Sequence, residues 1–236
     1  MLLAQMIYMP KIMSKEFDKS NPEPPSGIKA TLQSISKDFM IVTADKRASI
    51  AAQEVLLSGG NALDAAIAAQ NVLSVVEPQS SGLGGGGFLL FYNNANKKIY
   101  AYDGRETSSS LAKNNMYLID NKKMQFIEAV KKPFSIGVPG LYTMLADAHN
   151  EFGLLEWENL FTSALMYSEG FEMGKRLNKL LNWAPHIEND VYVNSIYFNN
   201  KEVIQTGNLV KNLDLKNSLQ ILSKDPYSIN NGLIAK

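Results

Sequence analysis

The run Gly82-Leu83-Gly84-Gly85-Gly86-Gly87, glycine at every position but one, constrains this chain more than any other feature. Glycine loses the most conformational freedom on folding, so such a run weakens helices and strands and favours a loop with close backbone approach. Its spacing also matches the dinucleotide fingerprint G-x-G-x-x-G, which requires a strand before it and a helix after it. Here a helical pattern precedes the run and a strand pattern follows it. The order therefore argues against a nucleotide site.

Two helical patterns lead into this loop. Asp45 is a candidate N-cap for a helix over residues 46–58, which Gly59-Gly60 would end. Asn61 is a candidate N-cap for a second helix, because apolar residues recur behind it at helical spacing. These residues are Ala62, Ala65, Ala66, Ala69, Val72, Leu73 and Val76. Glu77-Pro78 would end this helix, since the residue before a proline disfavours helical backbone.

The residues after the loop predict a β-hairpin. Residues 88–92 are apolar on both faces, which indicates a strand buried on both sides, and residues 99–103 predict its partner. A further short strand is predicted at residues 39–43. Helices are predicted over residues 141–152, 157–168 and 210–223. Helices around a buried hairpin are typical of a layered fold of the α+β class.

Composition and charge exclude several functions. Lys plus Arg and Asp plus Glu each number 23, so the net charge is zero and we expect no nucleic-acid partner. The chain has no cysteine, and its two histidines, His149 and His186, belong to no metal-ligating pattern. We therefore expect no metal and no cofactor, and we expect His149 at the surface or at a helix boundary. No apolar run reaches the roughly 18 residues of a membrane span.

The sequence Asp103-Gly104-Arg105-Glu106 lies where the second strand of the hairpin ends. An arginine there can bind a carboxylate through two parallel hydrogen bonds, while Asp103 or Glu106 holds its guanidinium in place. The same residues can also form an ion pair that only supports the strand terminus. From spacing alone, this structural interpretation is the favoured one.

Four motifs stand in a characteristic order. They are Gly59-Gly60-Asn61-Ala62-Leu63-Asp64-Ala65-Ala66 with Val75-Val76-Glu77-Pro78, Ser81-Gly82-Leu83-Gly84-Gly85-Gly86-Gly87-Phe88, Asp103-Gly104-Arg105-Glu106 and Gly137-Val138-Pro139-Gly140. Together they resemble the large-subunit region of the γ-glutamyltranspeptidases. The resemblance begins near residue 40 and extends to the C-terminal residues 227–235.

This resemblance implies an α+β fold with the αββα layers of N-terminal-nucleophile hydrolases, incomplete in this chain. Residues 1–38 would be an N-terminal extension or leader, and residues 39–236 a partial large-subunit domain. The implied activity is that of a γ-glutamyltransferase or glutathione hydrolase, in which a small-subunit threonine attacks a γ-glutamyl donor such as glutathione. Arg105 matches the family arginine that binds the α-carboxylate of the donor, and Glu106 would support it.

The implied threonine is not expected among the residues of this chain, so no catalytic residue is assigned. A complementary small-subunit polypeptide would be the partner, and we expect the isolated chain to be inactive and poorly soluble or partly unfolded. Relatives suggest a periplasmic or secreted location, yet no basic segment precedes the apolar residues 2–9 as in a signal peptide.

Two departures from the family pattern keep alternatives open. Asp45-Lys46-Arg47 stands where the family commonly has a serine-histidine pair, and Ser108-Ser109 stands where it commonly has Ala-Pro. Without that proline, we expect the loop after Arg105 to be held less firmly. The alternatives are a non-catalytic remnant of a truncated or split precursor, a cephalosporin-acylase-like protein, and a module that only binds carboxylates.

Overall fold

The computed structural model describes residues 34–184, 187 and 190–236. Most of the extension predicted for residues 1–38 lies outside these residues, and so does His186. The division of the chain at residue 38 stays a prediction. Within the described ranges, no helix is long and apolar enough to cross a membrane.

The first two predicted helices are confirmed. Helix α1 (Lys46–Leu57) begins at the N-cap Asp45, whose side chain accepts a hydrogen bond from the Arg47 amide. Helix α2 (Ala62–Val76) begins with a capping box, in which Asn61 and Asp64 accept hydrogen bonds from each other's backbone amides. Helix α2 packs against α1 and is buried around most of its circumference. The short helix α3 (Pro78–Ser81) follows it directly and leads into the glycine-rich loop.

The predicted hairpin is also confirmed, but its predicted burial is wrong. Strands β1 (Gly87–Asn93) and β2 (Lys98–Gly104) pair antiparallel, with Gly87 opposite Gly104. Burial alternates along β1: Phe91 packs against Phe152, with ring centroids 5.0 Å apart, whereas Phe88 and Leu90 are 71% and 75% exposed. One face of the hairpin therefore carries no covering layer in the described part of the chain.

A long connecting segment leaves the end of this hairpin and returns to it. It contains the short strands β3 (Leu118–Ile119) and β4 (Lys122–Lys123), helix α4 (Phe126–Ala129) and a 3₁₀ turn, Pro133–Ser135. The two ends of the connecting segment meet where Thr107 and Val138 form an antiparallel bridge. The segment therefore begins and ends next to Arg105.

Helix α5 (Leu141–Phe152) packs against α2 and β2. The predicted helix over residues 157–168 is divided into a 3₁₀ segment, Trp157–Phe161, and helix α6 (Thr162–Glu169). A buried hydrogen-bonded chain joins these elements: the Tyr142 hydroxyl donates to Asn71 Oδ1 at 2.8 Å, and Asn71 Nδ2 donates to the Leu160 carbonyl at 3.0 Å. Burial raises the pKa of Tyr142, so its hydroxyl remains a donor at neutral pH.

The C-terminal part adds short strands and helices around α6. Strand β5 (Phe171–Glu172) pairs with β8 (Leu209–Val210), and β6 (Phe198–Asn199) pairs with β7 (Glu202–Val203). Helices α7 (Lys175–Trp183) and α8 (Val191–Tyr197) lie between β5 and β6 in the sequence and were not predicted. The predicted helix over residues 210–223 is α9 (Leu213–Lys224), which begins later because Val210 pairs in β8 and Asn212 caps the helix. Helix α10 (Ser228–Asn231) follows.

The strand predicted at residues 39–43 is not assigned as a strand. Burial alternates along the segment as it would in a strand. Met40 and Val42 are exposed, and Phe39 and Ile41 are half-buried beside α1 and α2. Within the described residues it pairs with no other strand. A strand needs a hydrogen-bonded neighbour, which the local sequence pattern alone does not supply.

Candidate functional site

Three of the four sequence motifs meet at the end of the β1–β2 hairpin. The Gly85 carbonyl of the glycine-rich loop accepts hydrogen bonds from the amides of Gly140 and Leu141, at 3.3 and 3.2 Å. Beside this contact, Thr107 and Val138 exchange backbone hydrogen bonds of 3.3 and 2.8 Å. The glycine-rich loop, the arginine motif and the Gly137-Val138-Pro139-Gly140 turn therefore form one structural unit.

Close backbone approach explains two of the glycines. A Cβ atom on Gly86 would lie 2.5 Å from the Gly104 carbonyl and 2.6 Å from the Glu106 amide nitrogen. A Cβ atom on Gly140 would overlap the same Gly104 carbonyl and would lie 3.0 Å from the Arg105 carbonyl. No side chain fits in either place without a shift of backbone. The predicted loop with close backbone contacts is confirmed at these two positions.

Arg105 follows directly after β2, and its side chain is 67% exposed. Arg105 Nε lies 3.3 Å from Glu106 Oε2, so Glu106 is the carboxylate beside the guanidinium. Asp103 instead accepts a hydrogen bond from the Arg105 backbone amide at 2.9 Å. Of the two predicted supports, Asp103 therefore contacts the backbone and Glu106 the charged head.

Glu106 lies between two glycines. Its carboxylate lies against Gly86, and a Cβ atom on Gly137 would lie 2.6 Å from Glu106 Cβ. Its Oε2 atom is buried and has no hydrogen-bond partner among the described residues, because the Arg105 contact is an ion pair without hydrogen-bond geometry. The site thus presents an exposed guanidinium, backed by a half-buried carboxylate on a turn with close backbone contacts. This arrangement is suited to binding an anionic, planar group such as a carboxylate.

The described residues contain no candidate metal site. No group of three or more His, Cys, Asp or Glu side chains lies close enough there to hold a metal ion.

The sequence model of the γ-glutamyltranspeptidase family ("Gamma-glutamyltranspeptidase") matches residues 48–236 of this chain. The chain belongs to the γ-glutamyltranspeptidase family. The matched region contains the glycine-rich loop, the arginine motif and the turn that meets them, so three of the four motifs behind the resemblance converge in space.

Individual relatives agree with this assignment. The chain is 32% identical over 205 residues to a "Glutathione hydrolase proenzyme" of Bacillus subtilis, an alignment that covers 86% of this chain and 35% of that relative. The chain therefore spans about a third of the length of the curated relatives that it matches.

Solved γ-glutamyltranspeptidases share its fold. The enzyme from Pseudomonas nitroreducens, complexed with L-DON, superposes with a TM-score of 0.76 at 28% identity, over 85% of this chain and 59% of that one. The enzyme from Helicobacter pylori gives a TM-score of 0.78 at 26% identity, over 84% of this chain and 57% of that one. The predicted α+β, N-terminal-nucleophile hydrolase-like fold class is confirmed, and this chain is part of such a fold.

Of the two places predicted for His149, the structure shows the helix boundary, since the residue lies in the last turn of α5 and not at the surface. Its side chain is only 11% exposed, its ring contacts Trp157, and its Nε2 lies 2.9 Å from the Leu155 carbonyl and 3.5 Å from Asp64 Oδ1. Asp64, which is fully buried, also accepts hydrogen bonds from the Leu154 and Leu155 amides. His149 therefore holds the chain after α5 against the start of α2. No sequence pattern links residues so far apart.

A second buried carboxylate was also missed. Glu77, at the end of α2, is almost fully buried and pairs with Arg176 of α7. The Gln79 side chain donates to the same carboxylate at 2.6 Å. This pair fixes the start of α3, which leads into the glycine-rich loop. The Glu77-Pro78 sequence signalled a helix end, but it contained no signal for its partner 99 residues away.

Proposed function

We propose that this chain supplies the donor-binding part of a γ-glutamyltransferase or glutathione hydrolase, with Arg105 as the substrate-binding residue. The observation that supports the proposal is the exposed Arg105 guanidinium at the point where the family's motifs converge. The substrate class is a γ-glutamyl amide such as glutathione, whose free α-carboxylate is the group that Arg105 receives.

Arg105 would bind this carboxylate through two charge-assisted hydrogen bonds. Each such bond contributes roughly 1.5–3 kcal/mol to binding. Glu106 keeps the guanidinium oriented, and the glycine contacts keep the turn that carries both residues from moving. Binding at the α-carboxylate leaves the γ-amide of the donor at the opposite end of the molecule, where the reaction takes place.

The reaction is acyl transfer through a threonine of the small subunit, supplied by the remainder of the proenzyme. The threonine hydroxyl attacks the γ-carbonyl carbon and gives its proton to its own α-amino group, and the leaving amine takes up a proton as the amide bond breaks. Water or an acceptor amine then attacks the acyl-enzyme and releases the threonine. This chain contributes binding and orientation, so the chain alone is inactive.

The exposed hairpin face supports a partner of this kind. Phe88, Leu90, Tyr92 and Ile99 form an apolar face on β1 and β2 that the described residues leave open. In this proposal the small-subunit polypeptide covers that face, and residues 39–236 form a partial large-subunit domain. The word "proenzyme" in the relatives' names supports a precursor that is processed into two parts.

A donor that lacks only the α-carboxylate gives the sharpest test. The chain is mixed with the separately produced remainder of a family proenzyme, and turnover of γ-glutamyl-p-nitroanilide is compared with that of 4-aminobutyryl-p-nitroanilide. We expect Arg105→Ala to raise KM for the first donor by at least tenfold and to leave KM for the second unchanged. Arg105→Lys should give an intermediate KM, because lysine keeps the charge and loses the two-pronged geometry.

Other outcomes would favour the alternatives. Equal effects of Arg105→Ala on both donors would contradict carboxylate binding at this residue. Association of the two parts without turnover would favour a non-catalytic remnant. Calorimetric binding of glutamate by an assembly that does not turn over either donor would favour a carboxylate-binding module.

A further inference from the structure

We propose that Asn230 is a positioning residue for the Arg105 site. This inference rests on the proposed function, which makes Arg105 the donor-binding residue. Asn230 belongs to α10, far from the arginine motif in the sequence, and none of the patterns described above gives it a role.

Asn230 makes two hydrogen bonds of ordinary length. Its Nδ2 donates to the Pro139 carbonyl at 2.8 Å, and its Oδ1 accepts from the Thr143 hydroxyl at 2.9 Å. Because the Pro139 carbonyl can only accept, Nδ2 must face it, and the Thr143 hydroxyl then donates to Oδ1 and holds the amide in that orientation. The backbone of Asn230 is held in place by its neighbours. Ser228 and Ile229 are buried, and the Ser228 hydroxyl accepts a hydrogen bond from the Leu233 amide at 2.8 Å.

The Pro139 carbonyl lies next to Gly140, which packs directly against the Gly104 carbonyl. The peptide that contains the Pro139 carbonyl also contains the Gly140 nitrogen, which donates to the Gly85 carbonyl. The Gly140 Cα faces the carbonyls of Gly104 and Arg105 without space for even one methyl group. A rotation of the Pro139–Gly140 peptide must therefore displace either the glycine-rich loop or the backbone of Arg105.

Asn230 thus holds this peptide in the orientation that the site requires. The residue does not contact the donor, so its loss should weaken donor binding through Arg105 and leave the chemical step unchanged. Because the contact spans 91 residues, it also links the C-terminal segment of this chain to the donor site.

Two substitutions separate the two bonds of Asn230, and a third is a control. Asn230→Asp keeps the acceptor for Thr143 and replaces the donor to Pro139 with a carboxylate oxygen. Thr143→Val removes the orienting hydroxyl and keeps the amide. Asn231→Asp is the matched control, because it makes the same charge change at the next residue, which is exposed.

The first measurement is amide hydrogen exchange of Gly140 and Leu141 in the chain assembled with the remainder of the proenzyme, followed by NMR. We expect Asn230→Asp to accelerate exchange of both amides by about fivefold or more, the factor that corresponds to one net hydrogen bond. Thr143→Val should give a smaller acceleration, and Asn231→Asp none. Equal exchange in Asn230→Asp and Asn231→Asp would overturn the proposal. If Asn230→Asp does not unfold cooperatively, Thr143→Val decides: unchanged exchange in that variant would overturn it.

The second measurement is kinetic, in the assembly with the remainder of the proenzyme. Asn230→Asp should raise KM for γ-glutamyl-p-nitroanilide about fivefold with kcat within twofold, and should leave KM for 4-aminobutyryl-p-nitroanilide unchanged. A fall in kcat that is equal for both donors would mean a merely structural role and would overturn the proposal. Failure of the proposed function has a different signature, since Arg105→Ala would then leave both KM values unchanged while the exchange result stands.

Discussion

At the scale of single residues, the glycine-rich loop contains one position that has space for a side chain and one that has none. A Cβ atom on Gly86 would collide with the backbone of Gly104 and Glu106, whereas a Cβ atom on Gly84 meets nothing within 4 Å. Gly84 also lacks the positive φ that would strain a side chain. The two positions are two residues apart in one loop, so they form a matched pair.

We expect Gly86→Ala to lower the free energy of unfolding by about 1–3 kcal/mol, the usual cost of overpacking. Gly84→Ala should be neutral or slightly stabilising, because alanine restricts the unfolded chain. Urea-induced unfolding at low protein concentration measures both. Equal destabilisation by the two substitutions would contradict the close backbone contact at Gly86.

Asp45 makes stability depend on pH. Burial would raise its pKa, but the hydrogen bonds and the charge of Arg47 outweigh burial and lower the pKa below its ordinary value. A carboxyl with a lowered pKa in the folded state stabilises the fold above its unfolded pKa, near 4, and loses this contribution as the pH falls through the folded value.

The substitution Asp45→Asn tests this, because asparagine also caps helices but lacks the charge and one of the two oxygens that accept from the Arg47 guanidinium. We expect the variant to be less stable than the original chain by about 1 kcal/mol at pH 7, with the difference shrinking as the pH falls from about 5 toward the lowered pKa of Asp45 in the folded state. Urea unfolding across this range measures the difference. A difference that stays constant with pH would show that the ionised pair contributes nothing.

The residues that the sequence predicted well act locally. Asp45 and Asn61 cap the helices that directly follow them, so the chain within three residues of each was enough to identify them. The contacts of His149 and Glu77 were missed, because Asp64 and Arg176, the side chains that they contact, lie far away in the sequence. Arg105 stood out by its place after a strand, while the position of Asn230 beside Pro139 depends on the whole tertiary fold.

At the scale of elements, the β1–β2 hairpin has two faces with different partners. Phe91 lies on the inner face and packs against Phe152, and Leu90 lies on the outer face, exposed. The apolar sequence of β1 predicted burial on both faces. That prediction fails within the described residues because a strand pattern shows which faces are apolar and does not show where their cover comes from.

Substitutions on the two faces should therefore differ. Phe91→Ala should lower the free energy of unfolding of the chain by about 2 kcal/mol, because this partly buried ring packs against the core and its loss leaves a gap there. Leu90→Thr should leave stability within about 0.5 kcal/mol, because this side chain is exposed. Thermal unfolding of both variants compares them directly.

The same pair also tests the partner face. We expect Leu90→Thr to reduce self-association of the chain in sedimentation experiments, since a large exposed apolar face promotes association. It should also weaken assembly with the remainder of the proenzyme. Unchanged assembly after Leu90→Thr would mean that the partner does not cover this face.

At the scale of the whole molecule, the motifs predicted the family and its fold class, and the structure brings three of them together around Arg105. The motifs predicted this convergence only through resemblance, because their spacing in the sequence is unrelated to their distance in space. The chain covers about a third of its curated relatives, and in our proposal it contributes binding while the rest of the proenzyme contributes the chemistry.

The most direct test of this account is turnover of γ-glutamyl-p-nitroanilide by the chain alone and by the chain mixed with the separately produced remainder of a family proenzyme. We expect no turnover by either part alone and turnover by the mixture, with most of it lost in Arg105→Ala at donor concentrations below KM. Turnover by the isolated chain, or full activity of a mixture that contains Arg105→Ala, would contradict it.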